Sequence, residues 1–473
     1  MTIDRRTLVA GAAGAALTAL TPRAAEGRAP RGASGGEGAA AQAGRPRPSP
    51  SQLQWQRDEL AMFLHFGVNT FSDREWGDGK EDPRSFAPSA LDPRQWARVA
   101  RETGFRMMIL TAKHHDGFCL WPTATTRHSV ASSPWKDGQG DVVREFVEAC
   151  RAEGLRAGLY LSPWDRNHPT YGDTSRYNAV YWAQLRELLT QYGRIDEVWF
   201  DGANGEGPNG RRQEYDWART WGLVRELQPQ AVMFSDAGPD VRWIGNESGV
   251  AGTTNWSTVD PRIVTRPGME GAEVMRSLTS GDRDGTVWRP GETDVSIRPG
   301  WFYHPAEDAK VRTPENLVEL YFSSVGRNSK LLLNVPPDRR GLLSDADVAA
   351  LRGMRARLDA LMARDLAAGS AARVRMRPAP GAARAAMTIE YELPAPATLG
   401  VLELSEDIAQ GQRVASHRVE AEVGGAWREL ARGTTIGYKR LLRVAPVRTQ
   451  RVRVTCEDWT ELPGFIGLRG FAG

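Results

Sequence analysis

The sequence predicts an α/β fold: a (β/α)8-type barrel followed by a C-terminal antiparallel β-sandwich. Three observations predict it. From about residue 51, short apolar strands alternate with capped helices in units of roughly 40–50 residues, the pattern of a parallel sheet. After about residue 366, helices give way to short alternating runs separated by turn residues. Histidines and carboxylates recur at the ends of the apolar strands, where a closed barrel carries its chemistry.

The elements follow in order. Residues 60–68 form an apolar strand. Asp92-Pro93 supplies an N-cap and a proline at the first helical position, and Gly104 ends that helix. The strand 106–112 follows, then a helix over 141–153 closed by Gly154, the strand 156–161, and a helix over 176–192 closed by Gly193. The strand 197–200, a helix over 216–227 with Pro229 beyond it, and the strand 231–235 complete the clear part. The pattern blurs between 250 and 299. It resumes with a helix over 314–326, the strand 330–335 and a helix over 345–365. Nearly eight strand positions favour a barrel with one helix missing or distorted. Strands are expected next at 388–392, 398–404, 414–423, 442–445 and 450–456, with the boundary at 366–373. The division is then 1–50, 51–365 for the barrel and 366–473 for the sandwich.

Residues 1–50 read as an export signal and linker. Arg5-Arg6 precedes a Gly- and Ala-rich apolar run from Leu8 to Leu20, too short to span a bilayer and resembling a twin-arginine signal. The expected location is therefore periplasmic or extracellular. These 50 residues hold seven arginines and three acidic residues; the rest, with 54 basic and 55 acidic residues, is near neutral. No basic field suggests a nucleic-acid partner, and no later run is long enough to span a membrane. Cys119, Cys150 and Cys456 have no metal-ligand spacing and read mainly as unpaired thiols.

The strand ends carry His65, then Lys113-His114-His115-Asp116, then Tyr160 with Trp164 and Asp165, then Asp201, then Asp236 followed by Glu247, and last Asn334. A core does not select such residues, since burying them without partners costs several kcal/mol. Three chemistries can use the ring. Glycoside hydrolysis needs two carboxylates, with Asp201 on a rigid strand end as a good nucleophile and a glutamate on a longer loop as acid/base. A metal-dependent barrel hydrolase is an alternative using His114, His115, Asp201 and Asp236, although adjacent histidines point apart in extended chain and no H-x-H or H-E-x-x-H occurs. The third is sugar binding without catalysis. No cofactor and no metal are expected.

At these residues the chain resembles the α-L-fucosidases of glycoside hydrolase family 29. The strings are FLHFGVNTF, EWGDG, TAKHHDGFCLWPT, GLYLSPWDR, VWFDGA, SIRPGWFYH and LLLNVPPDRRG, in order from Phe63 to Gly341. The resemblance implies a retaining exo-α-L-fucosidase with Asp201 as nucleophile. It implies that His65, His114 and His115 hold sugar hydroxyls, that Glu75 and Trp76 lie near the sugar, that Tyr160 lines the wall and that Trp301 covers one side of the ring. The acid/base differs between the family's two branches. RWIGNESG points to Glu247 and to fucose α1-3/4-linked on Lewis-type glycans; the other branch points nearer Glu292, in GETDVSIRPGW. The implied partners are fucosylated oligosaccharides or glycoconjugates.

Overall fold

The computed structural model describes residues 44–377 and 385–473. The export-signal motif lies outside this range. Eight parallel strands form the barrel: β1 (Leu60–Leu64), β2 (Met107–Lys113), β3 (Arg156–Leu161), β4 (Glu197–Trp199), β5 (Val232–Phe234), β6 (Arg242–Trp243), β7 (Gly291–Ser296) and β8 (Lys330–Asn334). They are ordered β5-β4-β3-β2-β1-β8-β7-β6. A parallel bridge between Phe234 and Val241 ties β5 to the residue before β6 and closes the ring.

The helices between strands match the expected positions to within a few residues. Asp92, Asp141, Asp216 and Ser344 cap them by accepting backbone N–H groups from the first turn, worth about 1 kcal/mol each. β5 and β6 are joined only by residues 235–241, so the missing helix is the one between them. β6 precedes the stretch where the sequence pattern blurs and β7 lies within it; β6 has two residues, too few for any periodic signal. A helix the sequence reading overlooked, Pro50–Arg57, opens the fold with a Ser49/Gln52 capping box. It places Trp55 against the lower end of the barrel, where the indole N–H donates to Glu197 Oε2 at 2.8 Å.

Side chains alternate along a strand, so every second residue faces inward. Ala61 and Phe63, Met107 and Ile109, Val232 and Phe234, with Tyr160, Trp199 and Leu332, fill the barrel. Gly158 lies at the same level as Ile109 and Glu197: a Cβ there would meet Ile109 Cγ1 at 2.9 Å. The outward faces pack against the helices in the main core.

The C-terminal strands Ala371–Arg377, Ala386–Ser405, Val414–Val423, Ala426–Gly433, Arg440–Trp459 and Gly467–Phe471 form one continuous antiparallel sheet. Two of them run for 20 residues. Register shifts between Glu392 and Ala397 and between Leu399 and Val401 bend the first of these pairs, so each long strand serves both layers. The bend explains why the sequence splits each into two. The layers enclose Ile389, Leu402, Val419, Val454 and Leu468. Ala426–Gly433, a strand the sequence did not reveal, has no fully buried residue and so no apolar alternation. Val401, Leu441 and Phe471 leave this core and join that of the barrel. Around them Asn328 Nδ2 donates to Ser257 Oγ at 3.1 Å, and Tyr438 Oη to the Ser329 carbonyl at 2.7 Å. Gly437, at φ +70°, lies against Asn328 so closely that a Cβ would sit 2.1 Å from its side chain.

All three cysteines are free and buried. Among the described residues no helix is long and apolar enough to cross a membrane.

Candidate active site

The upper end of the barrel opens into a cavity of about 190 Å³ lined by Phe63, His65, Trp76, His114, His115, Tyr160, Trp199, Asp201, Ala203, Glu247, Asp294 and Trp301. This is below the ~300–1,000 Å³ of pockets that take drug-sized ligands and suits a single small polar ring. Eight of the residues named from sequence meet here: His65, Trp76, His114, His115, Tyr160, Asp201, Glu247 and Trp301.

The strand ends deliver them. His65 continues the inward series of Ala61 and Phe63. Its Nδ1 lies 2.8 Å from Asn334 Oδ1. Asn334 Nδ2 donates to the Trp301 carbonyl and to Ser296 Oγ, which fixes the amide orientation. His65 therefore carries its proton on Nδ1 and leaves Nε2 as an acceptor. His115 repeats the device: Ser162 Oγ donates to the Trp164 carbonyl at 2.7 Å and accepts from His115 Nδ1 at 2.8 Å. Burial lowers His65 and His115 to about 3, and puts His114 well below the usual imidazole range. The three rings are neutral, and two present fixed acceptors suited to ligand hydroxyls. Beneath them the Lys113 ammonium contacts Asp165 Oδ2, Tyr177 Oη and Gln184 Oε1 at 2.9–3.2 Å, so the buried cation is fully engaged.

Asp201 lies just past β4. Ala203 N–H donates to its Oδ1 at 2.7 Å and Tyr160 Oη to its Oδ2 at 3.1 Å. His115 Nε2 is 3.8 Å away, and 27% of the Asp201 side chain stays open. Burial raises its carboxyl above the usual range, and the two donors hold that rise in check. Glu247 stands at the exposed rim. Burial of its inner side raises it, the Trp301 hydrogen bond opposes, and the Asp201 and Glu75 charges add to the rise. Asp294 is the pocket carboxyl the sequence reading missed. It receives the Trp243 indole N–H at 2.8 Å, and burial followed by the Glu247 charge pushes it up to about 8. The signal was available: Asp294 stands two residues beyond Glu292 on the same strand face.

Two sequence candidates are placed elsewhere. Glu292 is the second residue of β7 and is fully buried below the pocket floor, where Trp199 Nε1 donates to its Oε1 at 3.0 Å. Trp199, stacked on Phe234 at 4.1 Å, separates it from the cavity. Glu75 lies behind the wall. Its Oε1 accepts the Trp301 backbone N–H, while its Oε2 accepts Phe302 N–H at 3.3 Å and lies 3.0 Å from His304 Nε2. Trp76 is 58% exposed at the mouth, edge-on to His115 and Trp164. Asp236 turns away and accepts Gly268 N–H at 2.7 Å. Among the described residues no three His, Cys, Asp or Glu side chains are placed to share a metal ion.

Residues 47–360 match the family model Alpha-L-fucosidase. Alpha-L-fucosidase 1 of Arabidopsis thaliana is 44% identical over 450 residues, covering 89% of this chain and 87% of its own. Among solved structures, SpGH29 is 41% identical with a TM-score of 0.83, over 90% of this chain and 98% of its own. The Ruminococcus gnavus GH29 fucosidase E1_10125 in complex with fucose is 30% identical with a TM-score of 0.79, over 92% and 97%.

Proposed function

The chain belongs to the α-L-fucosidase family, glycoside hydrolase family 29, and from that premise we propose that it is a retaining exo-enzyme in which Asp201 is the nucleophile and Glu247 the acid/base. One observation carries this reading: Asp201, held by two donors on a strand end, and Glu247, raised and on the loop after β6, face one small cavity bordered by neutral histidines. In the first step Asp201 forms a bond to the anomeric carbon as the glycosidic C–O bond breaks, and the Glu247 proton passes to the leaving oxygen. In the second, Glu247 takes a proton from water, whose oxygen displaces Asp201 and regenerates the carboxylate. His65 and His115 accept sugar hydroxyls through Nε2. Trp301 and Trp76 offer apolar faces to the 6-methyl edge, which disfavours a 6-hydroxyl by at most about 100-fold.

The wall formed by Glu247 and Trp301, the RWIGNESG string and the ring-sized cavity support terminal fucose linked α1-3/4 on Lewis-type glycans as the substrate. The Arg5-Arg6 motif supports export before action. Free fucose released from Lewis x trisaccharide, an α1-2-fucosylated lactose and an aryl fucoside tests the linkage, with NMR of the first-formed anomer testing retention. Selective release from Lewis x as the α-anomer is expected. Equal release from all three overturns the linkage, and a β-anomer overturns the double displacement.

A further inference from the structure

The Trp301 wall is fixed from behind. Its backbone N–H and that of Phe302 both donate to Glu75, and its carbonyl accepts from Asn334. Glu75 comes from the loop after β1, so one carboxylate ties two loops together. Behind it stands His304, three residues along from Trp301. His304 Nδ1 is 2.8 Å from Asp73 Oδ1, and its Nε2 is 3.0 Å from Glu75 Oε2. A carboxylate only accepts, and a neutral imidazole has one donor and one lone pair. Two carboxylates at those distances therefore require a proton on each ring nitrogen, or else one contact sets lone pair against lone pair.

We infer that His304 is a positioning residue that works as an imidazolium, clamping Glu75 to Asp73 and so holding the Trp301 wall of the sugar pocket in place. The inference rests on the reading of Trp301 and Glu247 as the pocket's sugar-facing wall. The groups around the ring agree. Asp73 and Glu75 face it from the loop after β1, and Glu307 approaches from its own turn, where it accepts Gly300 N–H at 3.2 Å. Arg339, from the loop after β8, reaches Asp73 at 4.0 Å. Burial alone would lower the imidazole, but the hydrogen bonds to Asp73 and Glu75 and the Glu75 and Glu307 charges outweigh it and raise it above 6.5.

The sign follows from the direction. A raised histidine contributes stability that is complete below its unfolded value, near 6.5, and lost as pH climbs through the folded value. Above that value one link of the clamp is gone and Glu75 is free to leave the Trp301 backbone. Fucoside binding then weakens, with KM rising more than kcat falls.

The test uses the whole protein labelled with 13C at histidine Cε1. The His304 resonance, assigned by its absence in His304→Gln, is expected to titrate above 6.5, and Asp73→Asn to lower its midpoint. Kinetics on an aryl fucoside should show kcat/KM of His304→Gln reduced about tenfold at pH 6, mainly through KM, with the variant lacking one alkaline ionisation that the parent shows. A His304 ring titrating at or below 6.5, or a folded His304→Gln with the parent's pH profile, overturns the proposal. The titration is read without turnover, so its failure is distinct from a failure of the Asp201 and Glu247 assignment, which inactive Asp201 and Glu247 variants test on their own.

Discussion

The barrel interior holds ionisable groups at both ends, and the two ends treat them differently. At the upper end Asp201, Glu247 and Asp294 border an open cavity, and each histidine keeps a nitrogen free for a ligand. At the lower end Glu197, Glu292 and Lys330 are sealed between Trp199 above and Trp55 below. Lys330 Nζ sits 4.6 Å over the Trp55 ring and 3.9 Å from Glu197 Oε2. Burial raises both glutamates, with the Glu197 charge adding to the rise of Glu292. Perturbed carboxyls alone therefore do not mark the catalytic end. What marks it is a free valence facing a void.

The comparison breaks if an upper carboxylate proves dispensable. Asp201→Asn is expected to lower kcat on every fucoside by at least about 10³-fold, with its melting temperature unchanged. Parent-like turnover would move the nucleophile elsewhere. Glu247→Gln sharpens the same point. Its loss should be about 10²–10⁴-fold on a natural glycan and far smaller on an aryl fucoside whose leaving group needs no proton. In the parent, kcat/KM should fall as pH drops through the raised Asp201 value and as it rises through the raised Glu247 value. The variant should lose the Glu247 part of the latter limb in a pH–rate profile and keep the part that comes from His304.

At the lower end the effect should fall on stability. Lys330→Met leaves Glu197 and Glu292 without their cation and should cost about 3–5 kcal/mol by chemical denaturation. The folded fraction should keep kcat/KM within about threefold, because Trp199 shields the pocket. A large loss of kcat with little loss of stability would couple the two ends. The smallest effect is expected at the mouth. Trp76→Ala should raise KM for a branched glycan and an aryl fucoside alike by about 5–30-fold, in line with one exposed aromatic contact, and change stability little. An effect confined to the branched glycan would move Trp76 from the 6-methyl edge of fucose to the aglycone side.

Most of the upper end was legible because strand ends announce themselves. VWFDG and LHFG place a polar residue directly after an apolar run, and the inward period of two carries it into the cavity. Glu292 was named because the family's other branch places its acid/base nearby, yet it is only the second residue of its strand. Two residues on a strand are about 7 Å, enough to move a carboxyl from floor to basement and to put Asp294 in its place. Glu75 was read as near the sugar, but it acts on backbone N–H groups, which leave no trace in sequence. The two-residue β6 and the bends in the long C-terminal strands were illegible because pairing to distant segments, not local pattern, defines them. The capping box at Ser49 was legible and overlooked.

Val401, Leu441 and Phe471 cross from the C-terminal sheet into the barrel's core, the cluster that also holds Leu317, Leu320 and Phe322, while Arg443 lies 3.8 Å over the Phe322 ring. A protein built this way is expected to melt as a single cooperative body. Calorimetry should record one endotherm, and a chain cut near residue 365 would expose that apolar seam and aggregate before it ever turned over substrate.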